Sequence, residues 1–189
     1  MDIKTFGVPG VIQLTPKRFG DHRGYFSETF NAKLAAEARI TDAFVQDNQS
    51  LSAKRGTIRG LHFQRPPHAQ GKLVRVLNGA VLDVAVDIRH GSPTFGQHVA
   101  AELTADKGEQ LWVPAGFAHA FCTLTPDATV FYKVTDYYAP QSDDGIKWDD
   151  PDLGIDWPIA PGEAVISEKD EKLPKLADSE VAFHWVKPA

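Results

Sequence analysis

From Leu73 onward the chain alternates apolar and polar side chains with a period of two, a pattern that fits strands and not helices. Leu82, Val84, Val86 and Ile88 fall on one face and Asp83, Ala85, Asp87 and Arg89 on the other, which predicts half-buried strands. Asn78-Gly79 sits between the apolar segments Leu73–Leu77 and Ala80–Ile88. It predicts a hairpin, because a two-residue turn with positive φ at both positions favours that dipeptide. Similar short segments follow at Val99–Leu103, Gln110–Val113, Ala120–Leu124 and Thr129–Val134, separated by Gly, Pro, Asp or Lys clusters. Many short strands at close spacing predict a sandwich or barrel, and a double-sheet jelly roll is one such solution. One early stretch reads as helix: Asn31 is placed to N-cap Ala32–Ala38, most of which are strong helix formers.

At 189 residues the chain can bury a substantial core as a single domain over 1–189, and no repeat or low-complexity linker divides it. The tail from Asp149 to Ala189, rich in Pro and charge, is expected to wrap the surface. The start Met1-Asp2-Ile3-Lys4 lacks the pattern of a signal peptide, and apolar runs fall far short of the roughly 20 residues that cross a bilayer. Cys122 is the only cysteine, so no intrachain disulfide can form and a cytoplasmic location is expected. A net charge of −5 argues against non-specific nucleic-acid binding, yet Arg23, Arg59 and Lys72 could still hold a small diphosphate.

Gly108, five residues, Pro114-Ala115-Gly116, two residues and His119 reproduce the spacing of the second cupin motif, with Thr123 where the motif ends in Asn. Gly56, five residues and His62 match the first motif, but Gln64 replaces its second histidine and no Glu follows at the expected distance. A metal-binding cupin gathers imidazole and carboxylate ligands on one centre, and only His62 and His119 remain of that set. The expectation is therefore a metal-free barrel whose histidines do acid–base work, for which a near-neutral pKa suits them.

The run Gly56-Thr57-Ile58-Arg59-Gly60-Leu61-His62-Phe63-Gln64, continued by Gln70-Gly71-Lys72-Leu73-Val74, resembles the dTDP-4-dehydrorhamnose 3,5-epimerase family. Further similar blocks are Asp21-His22-Arg23-Gly24-Tyr25-Phe26-Ser27-Glu28, Gln46-Asp47-Asn48, Asp83–Arg89, Gly116-Phe117-Ala118-His119, Tyr132–Tyr138 and Ser167-Glu168-Lys169-Asp170. The blocks stand in the family's order over roughly residues 1–176.

The resemblance implies a cupin-type jelly roll with short peripheral helices and a set of roles. His62 corresponds to the general base, Asp170 to the carboxylate that orients it, Lys72 to the group beside the keto oxygen, and Tyr132 to the general acid on the opposite face. Arg23 and Arg59 match residues that hold the diphosphate, which suits the planar guanidinium. Glu28, Gln46 and Asn48 match residues around the thymidine, and Tyr138 the one that stacks on thymine. His119, Asp143 and Lys169 fall at further substrate positions. The substrate implied is a dTDP-sugar, with no cofactor. A homodimer is also implied, with an N-terminal strand completing the neighbour's site. Ala120 departs from the family's glycine after His119, where a methyl group is either harmless or narrows the barrel mouth slightly.

A C4 ketone acidifies the hydrogens on C3 and C5, since loss of either leaves an enolate. Inversion then needs a base on one face, an acid on the other and a donor at the enolate oxygen. The chain has no dinucleotide fingerprint or phosphate loop that would point to redox chemistry. Alternatives are a 3-epimerase, a 5-epimerase, a 3,4-ketoisomerase, a non-catalytic cupin that binds sugar nucleotides, and a metal-dependent cupin oxygenase, the last disfavoured by Gln64.

Overall fold

The computed structural model describes residues 1–160 and 162–186. Strands β1 (Asp2–Thr5) and β2 (Ile12–Thr15) open the chain, followed by β3 (Phe19–Asp21), β4 (Gly24–Phe26), helix α1 (Ala32–Glu37) and β5 (Gln46–Ser52). The central strands are β6 (Ile58–Gln64), β7 (Lys72–Asn78), β8 (Ala80–Asp87), β9 (His98–Thr104), β10 (Gln110–Val113), β11 (Phe117–Thr123) and β12 (Ala128–Val134). The later part of the chain adds β13 (Asp143–Gly145) and the short helix α2 (Glu168–Glu171). No helix among the described residues is long and apolar enough to cross a membrane.

The strands form a six-stranded sheet in the order β1-β2-β10-β7-β12-β5 and a five-stranded sheet in the order β13-β6-β11-β8-β9, while β3 and β4 pair only with each other. Alternation along the strands sends one set of side chains between the two sheets. There Val74 and Val76 of β7 and Val130 of β12 pack with Val81 and Ala85 of β8 and Phe121 of β11. This is the expected jelly roll. Helix α1 is capped as predicted, with Asn31 Oδ1 accepting from the N–H groups of Lys33 and Leu34 at 3.0 and 3.4 Å. Its Ala35 packs against Leu14, Leu73 and Trp112 on the outside of the larger sheet.

Two sequence expectations fail here. Asn78-Gly79 is not a hairpin turn: β7 pairs with β10 and β12, whereas β8 pairs with β11 and β9 in the other sheet. The dipeptide turns a corner between sheets. Gly79 has the positive φ of 78° that the turn signal anticipates, and a Cβ there would collide with Thr125 Oγ1. The loop 125–127 holds the corner, accepting from Ala80 N–H at 3.1 Å and from Asn78 Nδ2 at 2.8 Å.

Nor is β8 half-buried. Asp83 and Asp87 are fully buried on the face between the sheets, and Val84 and Val86 are fully buried on the other face. The reason is the tail: Leu153, Val181 and Phe183, joined by Ile146 just before it, cover the outside of the five-stranded sheet and build a second core with Leu61, Phe63, Val84, Val86, Ala118 and Ala120. The tail thus wraps the barrel as expected but also contributes core. Pro161 and the end of the predicted tail, Lys187 to Ala189, lie outside the described residues.

Candidate active site

Strand β6 carries an irregularity that creates the site. Its pairing with β11 sets His62 opposite His119 and Arg59 opposite Phe121, so β6 advances three residues while β11 advances two. One extra residue in a strand breaks its alternation and re-aims side chains. As a result Arg59 and His62, three apart, both line a cavity of about 480 Å³, together with His119, Lys72, Tyr132, Lys169 and Asp170. Gly60 occupies the bulge with φ 126°, and a Cβ there would lie 2.5 Å from both Ala120 Cβ and the His119 carbonyl oxygen. Only glycine fits that approach.

The bulge also frees the Gly60 N–H, which donates to Asp170 Oδ2 at 3.3 Å. Asp170 Oδ1 lies 2.7 Å from His62 Nε2. The carboxylate is 4% exposed although its neighbours Glu168 and Lys169 are solvated. Ser167 starts α2 and takes the Asp170 N–H at 3.1 Å, which turns this one acid of the charged run inward. Burial alone would raise the Asp170 carboxyl, but its bonds to His62, Gly60 and Ser167 outweigh it and hold the group below the usual carboxylate range. An ionised Asp170 accepts the Nε2–H of His62, which leaves Nδ1 as the basic nitrogen.

His62 and His119 come from the five-stranded sheet, Lys72 and Tyr132 from the six-stranded one, so they stand on opposite walls. Lys72 Nζ donates to the His62 carbonyl at 3.3 Å. Burial pushes its ammonium down to about 8, against the opposing charges of Asp143 and Asp83. Burial raises the Tyr132 phenol, offset in part by Arg59. That combination leaves a neutral phenol able to give a proton and a lysine able to donate to a developing oxyanion.

An adjoining cavity of about 340 Å³ shares His62, Lys72, Tyr132 and Lys169 and is lined further by Gln46, Asn48, Tyr138 and Asp143. Gln46 Nε2 donates to Asn48 Oδ1 at 2.9 Å, and the Tyr138 N–H donates to Gln46 Oε1 at 3.1 Å. Lys169 Nζ meets Asp143 Oδ2 at 2.5 Å, joining α2 to β13 across the opening, and Tyr138 leaves much of its ring exposed. Arg59 is aimed by bonds to Ser52 Oγ at 3.1 Å and the Leu51 carbonyl at 3.2 Å.

Two predicted residues are not brought to this cavity. Arg23 has a side chain 78% exposed and pairs with Asp21 at 2.6 Å in the β3–β4 turn, while Glu28 accepts from Asn31 Nδ2 at 3.0 Å. The sequence reading also missed wall residues: Ser50, Thr57, Ile58, Phe121 and Val165–Ser167. Ser50 could have been found, because alternation along β5 puts Gln46, Asn48 and Ser50 on one face. Its Oγ is buried without a partner among the described residues.

Ala120 does not narrow the barrel mouth. It alternates with His119, so its methyl joins the core under the tail and packs toward Gly60. Nor do the residues at the cupin metal positions fit an ion. The Gln64 amide is used up by the backbone at His68, Tyr137 and Ala139. Each of the two histidines gives its Nε2 to a carboxylate. Among the described residues no three His, Cys, Asp or Glu side chains are grouped to hold a metal.

Comparison with known proteins points to one family. The profile of the family described as dTDP-4-dehydrorhamnose 3,5-epimerase matches residues 5–178. A dTDP-4-dehydrorhamnose 3,5-epimerase of Sinorhizobium fredii is 52% identical over 187 residues, covering 99% of this chain and 95% of the relative. Among solved structures, the dTDP-4-dehydrorhamnose 3,5-epimerase of Bacillus anthracis with TDP and PPi bound is 47% identical, with a TM-score of 0.89 over 92% of this chain and 98% of its own. The dTDP-6-deoxy-D-glucose-3,5-epimerase of Legionella pneumophila in complex with dTDP-4-keto-L-rhamnose is 47% identical, with a TM-score of 0.88 over 93% of each chain.

Proposed function

The chain belongs to the dTDP-4-dehydrorhamnose 3,5-epimerase family, and from that membership we propose that its cavity holds a dTDP-linked 4-keto-6-deoxy sugar between two walls of acid–base groups. The enzyme is an isomerase that converts dTDP-4-dehydro-6-deoxy-D-glucose to dTDP-4-dehydro-L-rhamnose, in dTDP-L-rhamnose biosynthesis. His62 removes the proton from C3 or C5 while Asp170 balances the imidazolium that forms. Lys72 donates to the C4 oxygen as charge moves onto it. Tyr132 returns a proton from the other side; His62 then gives its proton to solvent and Tyr132 regains one from it, so that a second passage inverts the second centre. The reading rests chiefly on one observation: His62, paired with Asp170 of α2, and Tyr132 come from opposite sheets and line one cavity, with Lys72 on the same sheet as Tyr132.

Gln46, Asn48 and Tyr138 form the thymidine end of the site, with Arg59 on the diphosphate and Asp143, Lys169 and His119 as further substrate contacts. Arg23 and Glu28 serve the same ligand from a second copy. The exposed β3–β4 hairpin, with Phe19, Tyr25 and Phe26 bare on it, supports a homodimer in which this arm reaches the neighbour's cavity. The reaction needs no metal or other cofactor, and the buried free thiol of Cys122 accords with a cytoplasmic setting.

Turnover in heavy water tests the reading, since proton transfer at both centres places solvent deuterium on C3 and C5 of the product. Deuterium at one carbon alone reduces the enzyme to a mono-epimerase, and at neither would refute proton abstraction.

A further inference from the structure

On the inner face of the sheet that carries His62 there is a second imidazole–carboxylate pair. His119 Nε2 lies 2.8 Å from Oδ1 of Asp83, on the neighbouring strand β8. Asp83 is fully buried, and its Oδ2 is without a hydrogen-bond partner among the described residues. Taking a carboxylate out of water is costly, and leaving one of its acceptors unmet adds to that cost. Val81 and Ala85, two residues either side on the same face, show what ordinarily fills this space. An acid kept there with half its bonding capacity unused does not serve folding, and such groups concentrate at working sites. Asp83 also opposes the loss of charge from Lys72 on the facing sheet.

We propose that Asp83 is a positioning residue for the epimerisation, acting through His119: it accepts the Nε2–H, fixes which nitrogen carries the proton, and holds the ring against the sugar. The proposal rests on the cavity being the active site. An orienting carboxylate of this kind matters in the transition state, where the geometry of a charged or donating imidazole has to be held while substrate charge moves. Asp83→Asn keeps the shape and removes the charge.

Three measurements decide the matter. In the unmodified enzyme, long-range nitrogen–proton NMR of the His119 ring should show a proton on Nε2; a neutral ring protonated on Nδ1 overturns the proposal without any variant. Asp83→Asn should lower kcat about tenfold or more with KM little changed, while the melting temperature stays at or above the parent's. Parental kcat, or a loss of kcat tracking a loss of thermal stability, overturns it. In a His119→Ala background, Asp83→Asn should change kcat no further, whereas multiplying effects would mean that Asp83 acts elsewhere. His62→Asn serves as the control. If it stays active, the cavity reading itself fails; if it is inactive while Asp83→Asn is not, only this proposal fails.

Discussion

His62 and His119 stand directly opposite each other on β6 and β11, each giving its Nε2 to a carboxylate, Asp170 at 2.7 Å and Asp83 at 2.8 Å. The two carboxylates reach the pair from different parts of the fold, one from the wrapped tail and one from the barrel core. The one-residue bulge at Gly60 gives the first of them a second partner, the Gly60 N–H that Asp170 also accepts. The wall facing the histidines supplies Lys72 and Tyr132.

His62→Asn keeps a polar side chain and deletes the base, so solvent exchange at C3 and C5 should fall by about 10² or more. Binding of dTDP should change little, since that contact is common to ground and transition states. Exchange near the parental rate, measured by mass spectrometry in heavy water, would move the base elsewhere, with His119 the first place to look.

Lys72 must be protonated to donate to the enolate oxygen, so kcat/KM should decline as pH rises through about 8, the value to which burial brings its ammonium. Stability responds with the opposite sign. Between about 8 and the ordinary 10.5 the unfolded chain keeps a proton that folded Lys72 has lost, so this group adds stability as pH rises. Lys72→Met should abolish both trends. An alkaline limb unchanged in that variant, after allowance for its lower rate, assigns the limb to another group.

Gly60→Ala should damage both fold and site, because the new methyl meets Ala120 Cβ and the His119 carbonyl at 2.5 Å and strains a φ of 126°. Overpacking of this kind costs about 1–3 kcal/mol, which for a chain of this size lowers the melting temperature by roughly 2 °C or more. Adding Ala120→Gly should restore part of the loss by removing one of the three close contacts, leaving those to the His119 carbonyl and the Ala120 Cα. A fully stable, fully active Gly60→Ala would deny the bulge its role.

Exhaustive chelation should leave turnover unchanged, because Gln64 is spent on the backbone and both histidines are already paired. Activity lost to chelator and restored by one divalent metal would reverse this.

The strands β7 to β12 were legible in the sequence because short apolar segments bounded by Gly, Pro, Asp or Lys clusters recur there, and Gln110–Val113 matches its strand end to end. Strands β5 and β6 were not. Gln46–Ser52 is polar on both faces apart from Leu51, and the bulge at Gly60 breaks the period of Ile58–Gln64. Asn78-Gly79 announced a tight positive-φ turn but carried no information about which sheet the chain enters next, a choice made by distant partners. For the same reason nothing local singles out Asp170 within Glu168–Glu171; residue resemblance named it, and only the folded tail turns it inward. Asp83 read as the polar face of a half-exposed strand because the covering tail could not be foreseen.

The central claim, that removal and return of the proton come from opposite walls, is tested most directly by Tyr132→Phe turned over in heavy water. The substitution deletes one hydroxyl and keeps the ring that packs against the barrel core, so the melting temperature should stay close to the parent's. His62 can still take a proton and return one to the face it left. The variant is therefore expected to incorporate deuterium with retention of configuration at one or both carbons, with inverted product reduced far more than exchange. Inversion and exchange in their parental ratio would contradict the account and hand the second proton to Tyr138 or to water.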